Sequence, residues 1–235
     1  MKTSNIILSS LIGSITLLCI LGLISYKLTS TPRAQPILEH ENHQTHSIEL
    51  RDFRYLEVKE SKDFFIEIAT GLDREIKIIT RAGTEIPVVD YHISGDSLFI
   101  DNFHPNSNNS NWWVSHLTIY IPVGELKGVK GKNAKLKFQN FTGTFPEIDA
   151  DATQIIIDNS SGKGKLVCNL RNKSTLTINN RIDTLYMHLD NSTLKIINPL
   201  VLIKGEMLNN ATLNYKGAGE IVLKQDETSK IQSLN

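Results

Sequence analysis

Between Asn133 and Leu223 one short phrase returns five times: Ala134-x-Leu136-x-Phe138, Thr153-x-Ile155-x-Ile157, Ser174-x-Leu176-x-Ile178, Ser192-x-Leu194-x-Ile196 and Ala211-x-Leu213-x-Tyr215. A small residue is followed by two large apolar ones at a spacing of two. The phrases start 19, 21, 18 and 19 residues apart. A second apolar series runs between them, through Ile148, Leu166, Leu185, Ile203 and Ile221. Two interleaved strand series at one period constrain the chain to a coil in which each repeat supplies one rung.

The physical reason lies in strand geometry. Alternate side chains of a strand point to opposite faces, so Ser174, Leu176 and Ile178 face inward while Thr175 and Thr177 face out. A single rung cannot bury its apolar edge, so it needs a neighbour above and below. Stacking then puts Leu136, Ile155, Leu176, Leu194 and Leu213 in one internal column. The small residues (Ala134, Thr153, Ser174, Ser192, Ala211) suit a tight corner. Just before them stand Asn133, Asn172, Asn191 and Asn210, which tolerate turn geometry and can form amide ladders between rungs. A β-sandwich also recurs at short intervals, but it gives no reason for column identity to persist over five repeats. The expected fold is therefore all-β: a β-solenoid or β-helix-like domain over residues 47–225 with rungs of about 19 residues.

In front of this domain lies an uncharged run from Ile6 to Tyr26. About 20 apolar residues span a bilayer as a helix, and no Ala-x-Ala cleavage site follows. Residues 1–28 are expected to be an uncleaved signal anchor, one transmembrane helix, with the C-terminal domain outside the cytoplasm in the periplasm or at the cell surface. Residues 29–46 read as a polar linker holding His40, His43 and His46, whose imidazoles could gather Zn²⁺ or Cu²⁺. Flexible polar linker is the simpler reading of the same residues. Residues 226–235 read as a polar tail.

From Ser47 to Pro122 six strands are expected: Tyr55–Val58, Phe64–Ile68, Glu75–Ile79, Ile86–Val89, Ser97–Ile100 and His116–Ile121. Gly71, Gly83 and Gly95 mark turns between them. Pro87 marks its strand as an edge or bulged strand. The longest polar loop, His104 to Asn111, leads into Trp112-Trp113. Neighbours on a strand point to opposite faces, so one tryptophan can be buried while the other offers a stacking platform for a sugar or partner. Both in structural roles is the plainer alternative.

Several of these stretches resemble the auto-transporter adhesin head GIN domain family. The similarity is carried by Phe53-Arg54-Tyr55-Leu56-Glu57-Val58, Phe65-Ile66-Glu67-Ile68, Gly95-Asp96-Ser97-Leu98-Phe99-Ile100 and His116-Leu117-Thr118-Ile119-Tyr120-Ile121-Pro122 with Leu126-Lys127-Gly128-Val129. It closes with Leu208-Asn209-Asn210-Ala211-Thr212-Leu213-Asn214-Tyr215-Lys216-Gly217-Ala218-Gly219. Where that family usually turns on Ser-Gly-Ala, this chain has Asn-Lys-Ser, Asn-Ser-Thr and Asn-Ala-Thr. The resemblance implies an exported β-helical domain of the Bacteroidetes type with an adhesin-like role. It brings no catalytic residues with it.

Chemistry is sparse in the sequence. Twenty-five basic and 25 acidic residues balance to a formal net charge of zero, without the basic excess of a nucleic-acid binder. Cys19 sits in the apolar run and Cys168 in a repeat strand, so no disulfide framework or Cys-type zinc site is expected. Paired acids would mark a glycosidase on a β-helix. Asp149, Asp151, Asp158 and Asp190 are the candidates, and most sit at strand ends, where Asp serves turns. Asn-x-Ser/Thr recurs in register with the repeat, which turn chemistry explains. No phosphate loop, nucleophile elbow or dinucleotide fingerprint is present. The expectation is a non-enzymatic, cofactor-free, adhesin-like binding or structural module of the cell envelope. Its expected partners are the membrane through the N-terminal helix, and an envelope polysaccharide or another envelope protein. A carbohydrate-active enzyme or an envelope-stress sensor component is the alternative.

Overall fold

A computed structural model describes residues 43–61, 64–81, 88–104, 114–162 and 164–234. The expected anchor helix, His40 and the Trp112-Trp113 pair lie outside the described residues. The described chain forms strands β1 (His43–Glu49), β2 (Tyr55–Lys59), β3 (Ile66–Thr70), β4 (Glu75–Arg81), β5 (Val88–Ser94), β6 (Ser97–His104) and β7 (Val114–Ile121). There follow β8 (Gly128–Lys132), β9 (Lys135–Gln139), β10 (Thr142–Gly143), β11 (Glu147–Asp151), β12 (Gln154–Asp158), β13 (Ser161–Gly162) and β14 (Lys165–Arg171). The last are β15 (Thr175–Ile178), β16 (Thr184–Asp190), β17 (Thr193–Ile196), β18 (Leu200–Leu208), β19 (Thr212–Tyr215), β20 (Ala218–Gln225) and β21 (Lys230–Ser233).

From β8 onward the chain alternates between two large sheets, with the short corner strands β10 and β13 pairing in a third, and each strand pairs in parallel with the one a rung later. Sheet I has the order β1-β4-β7-β3-β9-β12-β15-β17-β19-β21, and sheet II the order β20-β18-β16-β14-β11-β8-β2-β6-β5. This is a β-solenoid. The expected column is present residue for residue: Leu136 pairs with Ile155, Ile155 with Leu176, Leu176 with Leu194 and Leu194 with Leu213. All five side chains are buried, and the inward faces of both sheets meet in one core.

The second series needs a correction. Ile148 pairs with Cys168, not with Leu166. Leu166, Leu185, Ile203 and Ile221 do form a column. Ile148 belongs two positions along, with Val129, Cys168 and Met187. The step from Ile148 to Cys168 is 20 residues, against 19 from Val129 to Ile148, so a step of 18 lands one inward position short.

The start of the coil departs from sequential stacking. β8 pairs with β2 and β9 with β3, while β6 and β7 lie on the far side of that rung. The rung β2–β3 is thus sandwiched between two rungs that both come later in the chain. Beyond β6 and β7 the pairing turns antiparallel, through β5, β4 and β1. β5 is the edge strand of sheet II, as the preceding Pro87 implied. β1 begins at His43, inside the residues expected as linker, and β21 falls within those expected as a tail.

Corner chemistry explains the asparagines. Asn133, Asn172, Asn191 and Asn210 all have positive φ, between 48° and 64°, a left-handed region that Asn tolerates better than most residues. Their amides do not ladder on one another. Asn172 Nδ2 donates to Asp151 Oδ1 of the previous rung at 2.7 Å, and Asn133 Nδ2 to Glu60 Oε1 at 2.9 Å. The buried hydroxyls next to them also knit rungs together. Ser174 Oγ accepts the Thr153 N–H at 3.1 Å and donates to the Arg171 carbonyl at 2.6 Å. These bonds satisfy backbone groups that the tight corner removes from the strand ladder.

Candidate functional site

The outward face of sheet II carries the densest cluster of chemistry among the described residues. Because register is kept from rung to rung, outward side chains line up in files. One file runs Phe99, Glu57, Lys130, Asp149, Asn169, His188, Glu206, Lys224. Beside it, Tyr55 pairs with Gly128, and Gly128 with Glu147.

Gly128 makes a depression here. A Cβ at this position would stand 2.9 Å from Tyr55 Cδ1, so the missing side chain lets the Tyr55 ring lie across the strand. Around it opens a shallow cleft of about 470 Å³, walled by Tyr55, Glu57, Lys130, Glu147, Asp149, Val167 and Asn169. Tyr55 is 49% exposed, an aromatic face open to solvent at the cleft edge. The side-chain carbonyl of Asn169 is buried without a hydrogen-bond partner. An unsatisfied buried acceptor of this kind costs free energy, while the rest of the cleft wall offers Glu57, Lys130, Glu147 and Asp149 as polar groups.

The charged groups of the face are held in cross-rung pairs. Lys130 Nζ lies 3.6 Å from Glu57 Oε2, and Arg171 donates to Asp149 Oδ1 at 2.8 Å. Lys59 bridges Asp101 and Glu57, each at 3.4 Å, and its ammonium lies 5.7 Å from the Phe99 ring centre. The hydrogen bond to Asp101, then the charge of Glu57, raise the Lys59 pKa above the ordinary lysine value. His92 stacks on Phe99 with centroids 4.7 Å apart. Further along, the Lys165 ammonium sits 4.6 Å over Tyr186. The result is a mixed-sign polar face with aromatic rings at intervals along the coil.

The acids weighed from sequence do not converge. Asp149 is held by Arg171, Asp151 accepts from Asn172, and Asp190 accepts from Asn209 at 2.7 Å. Asp158 lies on β12 in sheet I, away from this face. Cys168 is buried in the core, and desolvation pushes its thiol up to about 12, so it is a packing residue. His43 and His46 both lie on β1, three positions apart, which directs their side chains to opposite faces. Among the described residues no cluster of three or more His, Cys, Asp or Glu is placed to hold a metal ion. Tyr55, Gly128 and Asn169 were not visible as a site in the sequence. The available signal was a glycine inside a strand, which marks a close approach by another group.

No protein-family model and no curated protein matches the sequence. Solved structures do. A candidate adhesin of Bacteroides fragilis is similar over 83% of this chain and 98% of its own, at 13% identity and a TM-score of 0.47. A candidate adhesin of Parabacteroides merdae covers 82% of this chain and 96% of its own, at 16% identity and a TM-score of 0.41. A candidate lipid-binding protein of Parabacteroides distasonis covers 83% and 98%, at 14% identity and a TM-score of 0.44.

Proposed function

We propose that this chain is a membrane-anchored, non-enzymatic binding module of the adhesin-like kind, carried on the outer side of the membrane. Its working surface is the outward face of sheet II, and its ligand is an extended, hydroxyl-rich polymer, an envelope polysaccharide. The observation that carries this reading is the cleft over Gly128, with an exposed Tyr55 ring on one side and the polar side chains of Lys130, Glu147 and Asp149 along its wall. An aromatic face packs against the apolar side of a sugar ring while a polar group reads its hydroxyls. The file of groups repeats along the coil at the rung spacing of about 4.8 Å, so a long polymer meets a succession of weak contacts. The uncharged run Ile6–Tyr26 supports the anchor, and the resemblance of the strands to the GIN domain family supports an exported, adhesin-like role.

The test is binding of the full chain, in mild detergent, to a panel of purified envelope polysaccharides. Tyr55→Ala should weaken binding at least tenfold while the fold, followed by circular dichroism, is kept. Trp112→Ala and Trp113→Ala, tested alongside, report whether the loop before β7 contributes. Binding unchanged by Tyr55→Ala would remove the cleft from the account. Turnover of any polysaccharide by the purified chain would overturn the non-enzymatic reading. Protease added to spheroplasts should digest the β domain while a cytoplasmic control survives; protection would reverse the topology.

A further inference from the structure

The two ends of the coil are unlike. One is closed by strands that turn antiparallel, while at the other the parallel ladders stop at β20 and β21, beyond which no described strand pairs. Residues that would be interior in a longer coil surface here: Ile221, which continues the column of Ile203, is 36% exposed, and Ile231, which continues that of Leu213, is 38% exposed. An open edge with apolar residues behind it is a template for another strand.

The central stretch of β20, Glu220-Ile221-Val222-Leu223-Lys224, is complementary to itself when reversed: charge falls on opposite charge and apolar on apolar. The Asp226 N–H donates to the Met207 carbonyl of β18. Backbone groups alternate along a strand, so from Glu220 onward Glu220, Val222 and Lys224 point their N–H and C=O at β18, and Ile221, Leu223 and Gln225 point theirs at the free edge. An antiparallel partner must place these free residues opposite one another. In the register centred on Val222, Ile221 of each copy meets Leu223 of the other, each pair exchanging two hydrogen bonds. Glu220 then stands opposite Lys224 of the second copy. Registers centred on Glu220 or Lys224 oppose like charges, and those centred on Ile221 or Leu223 set a charge against Val222. Only the Val222-centred register sets every outward charge of the strand against its opposite.

We propose that two copies of this chain join end to end through β20, related by a two-fold axis at Val222. Each sheet II then continues unbroken across the junction. Lys224, already 2.9 Å from Glu206 of its own chain, gains Glu220 of the second copy. The file His188, Glu206, Lys224 thus extends with the next alternating charge. A symmetric, self-complementary patch of this kind is what a two-fold dimer requires, and unlike charges directly opposite favour the register. The same axis brings β21 to face its own copy and covers Ile231.

The experiment uses the full chain carrying two different tags and co-purified in mild detergent. Wild-type copies should co-purify. Glu220→Lys with itself, and Lys224→Glu with itself, should each lower the yield at least tenfold, because four like charges meet. Mixing the two variants should restore the wild-type yield, since both lysines of one chain's β20 then face both glutamates of the other's. Independently, Val222→Cys in a Cys19→Ser background should form a disulfide dimer on oxidation, because the two-fold places the two Cα atoms about 4.5 Å apart in a non-hydrogen-bonded pair. Val201→Cys, more exposed at 61% against 44% but one strand in, should not. Absence of wild-type co-purification, insensitivity to either charge reversal, failure of the mixture to recover, or no excess of disulfide at Val222 over Val201 would each overturn the proposal.

Discussion

Truncating Leu194 tests the stacking of the coil at its centre. Leu194 is fully buried, with Leu176 against it on one side and Leu213 on the other. Leu194→Ala removes three carbons, a transfer cost of about 2.4 kcal/mol at ~0.8 kcal/mol per buried methylene. Hydrogen-bonded ladders hold the rungs above and below in place, so the void closes poorly and the cavity contribution adds to this. The expected loss is about 3–4 kcal/mol, inside the range of about 2–5 for buried Leu→Ala changes. A lesion in a middle rung also weakens two interfaces, whereas one in a terminal rung weakens a single interface. Ile221→Ala, in the last rung of sheet II and partly exposed, should therefore cost less, about 1–2 kcal/mol, when both changes are made in a Lys224→Glu background that keeps copies apart. Urea titration followed by circular dichroism measures both. The midpoint should fall for Leu194→Ala at an unchanged slope. A Leu194→Ala midpoint equal to that of the background, or a larger effect at Ile221, would refute the reasoning.

Other predictions follow from single positions. Gly205→Ala should be among the most damaging changes, because its Cβ would stand 1.8 Å from the Met187 carbonyl oxygen; soluble expression and melting temperature report it, and a variant as stable as wild type would contradict the close approach of β18 to β16. Asn172 has φ of 55° and donates to Asp151, so Asn172→Ala, which strains the backbone and loses the bond, should destabilise by about 1 kcal/mol more than Asn172→Gly, which loses only the bond. The Asp226 carboxylate accepts hydrogen bonds from Ser229, Asn209 and Thr228, which lower its pKa from the ordinary 3.8 to about 2. A depressed carboxylate contributes stability above its unfolded value and loses it as pH falls through the folded one. The gap in melting temperature between wild type and Asp226→Asn should therefore be constant above pH ~5 and shrink as pH falls towards ~2; a gap independent of pH would deny those bonds a role.

The parts of the fold that the sequence made legible are those where one strand dictates the next. The column from Leu136 to Leu213 could be read because a period of two within a strand and a steady period between strands leave few other ways to bury those residues. Ile148 falls out of its expected column because counting from rung to rung assumes constant length, and the step from Ile148 to its partner Cys168 is 20 residues rather than 18. The asparagines do stand at corners, but their partners are not encoded in the repeat: a carboxylate one rung away outcompetes a neutral amide as acceptor. The first rungs were opaque for another reason. Pairing of β8 with β2 skips five intervening strands, and no periodicity encodes a skip. β1 and β21 have too few apolar residues to announce themselves, since each is an edge strand with only one partner. The cleft was hidden because it depends on Tyr55 lying over Gly128, far apart in the chain and adjacent only through that non-sequential pairing.

The outward face of sheet II is the surface proposed to meet the ligand. Carboxyl footprinting of the full chain, with and without a polysaccharide that it binds, tests this directly. Carbodiimide labelling of Glu57, Glu147 and Asp149 should drop severalfold on binding, while Glu49 on β1 and Glu227 beyond β20 keep their labelling. Unchanged labelling at the three cleft acids, with protection elsewhere, would contradict the account.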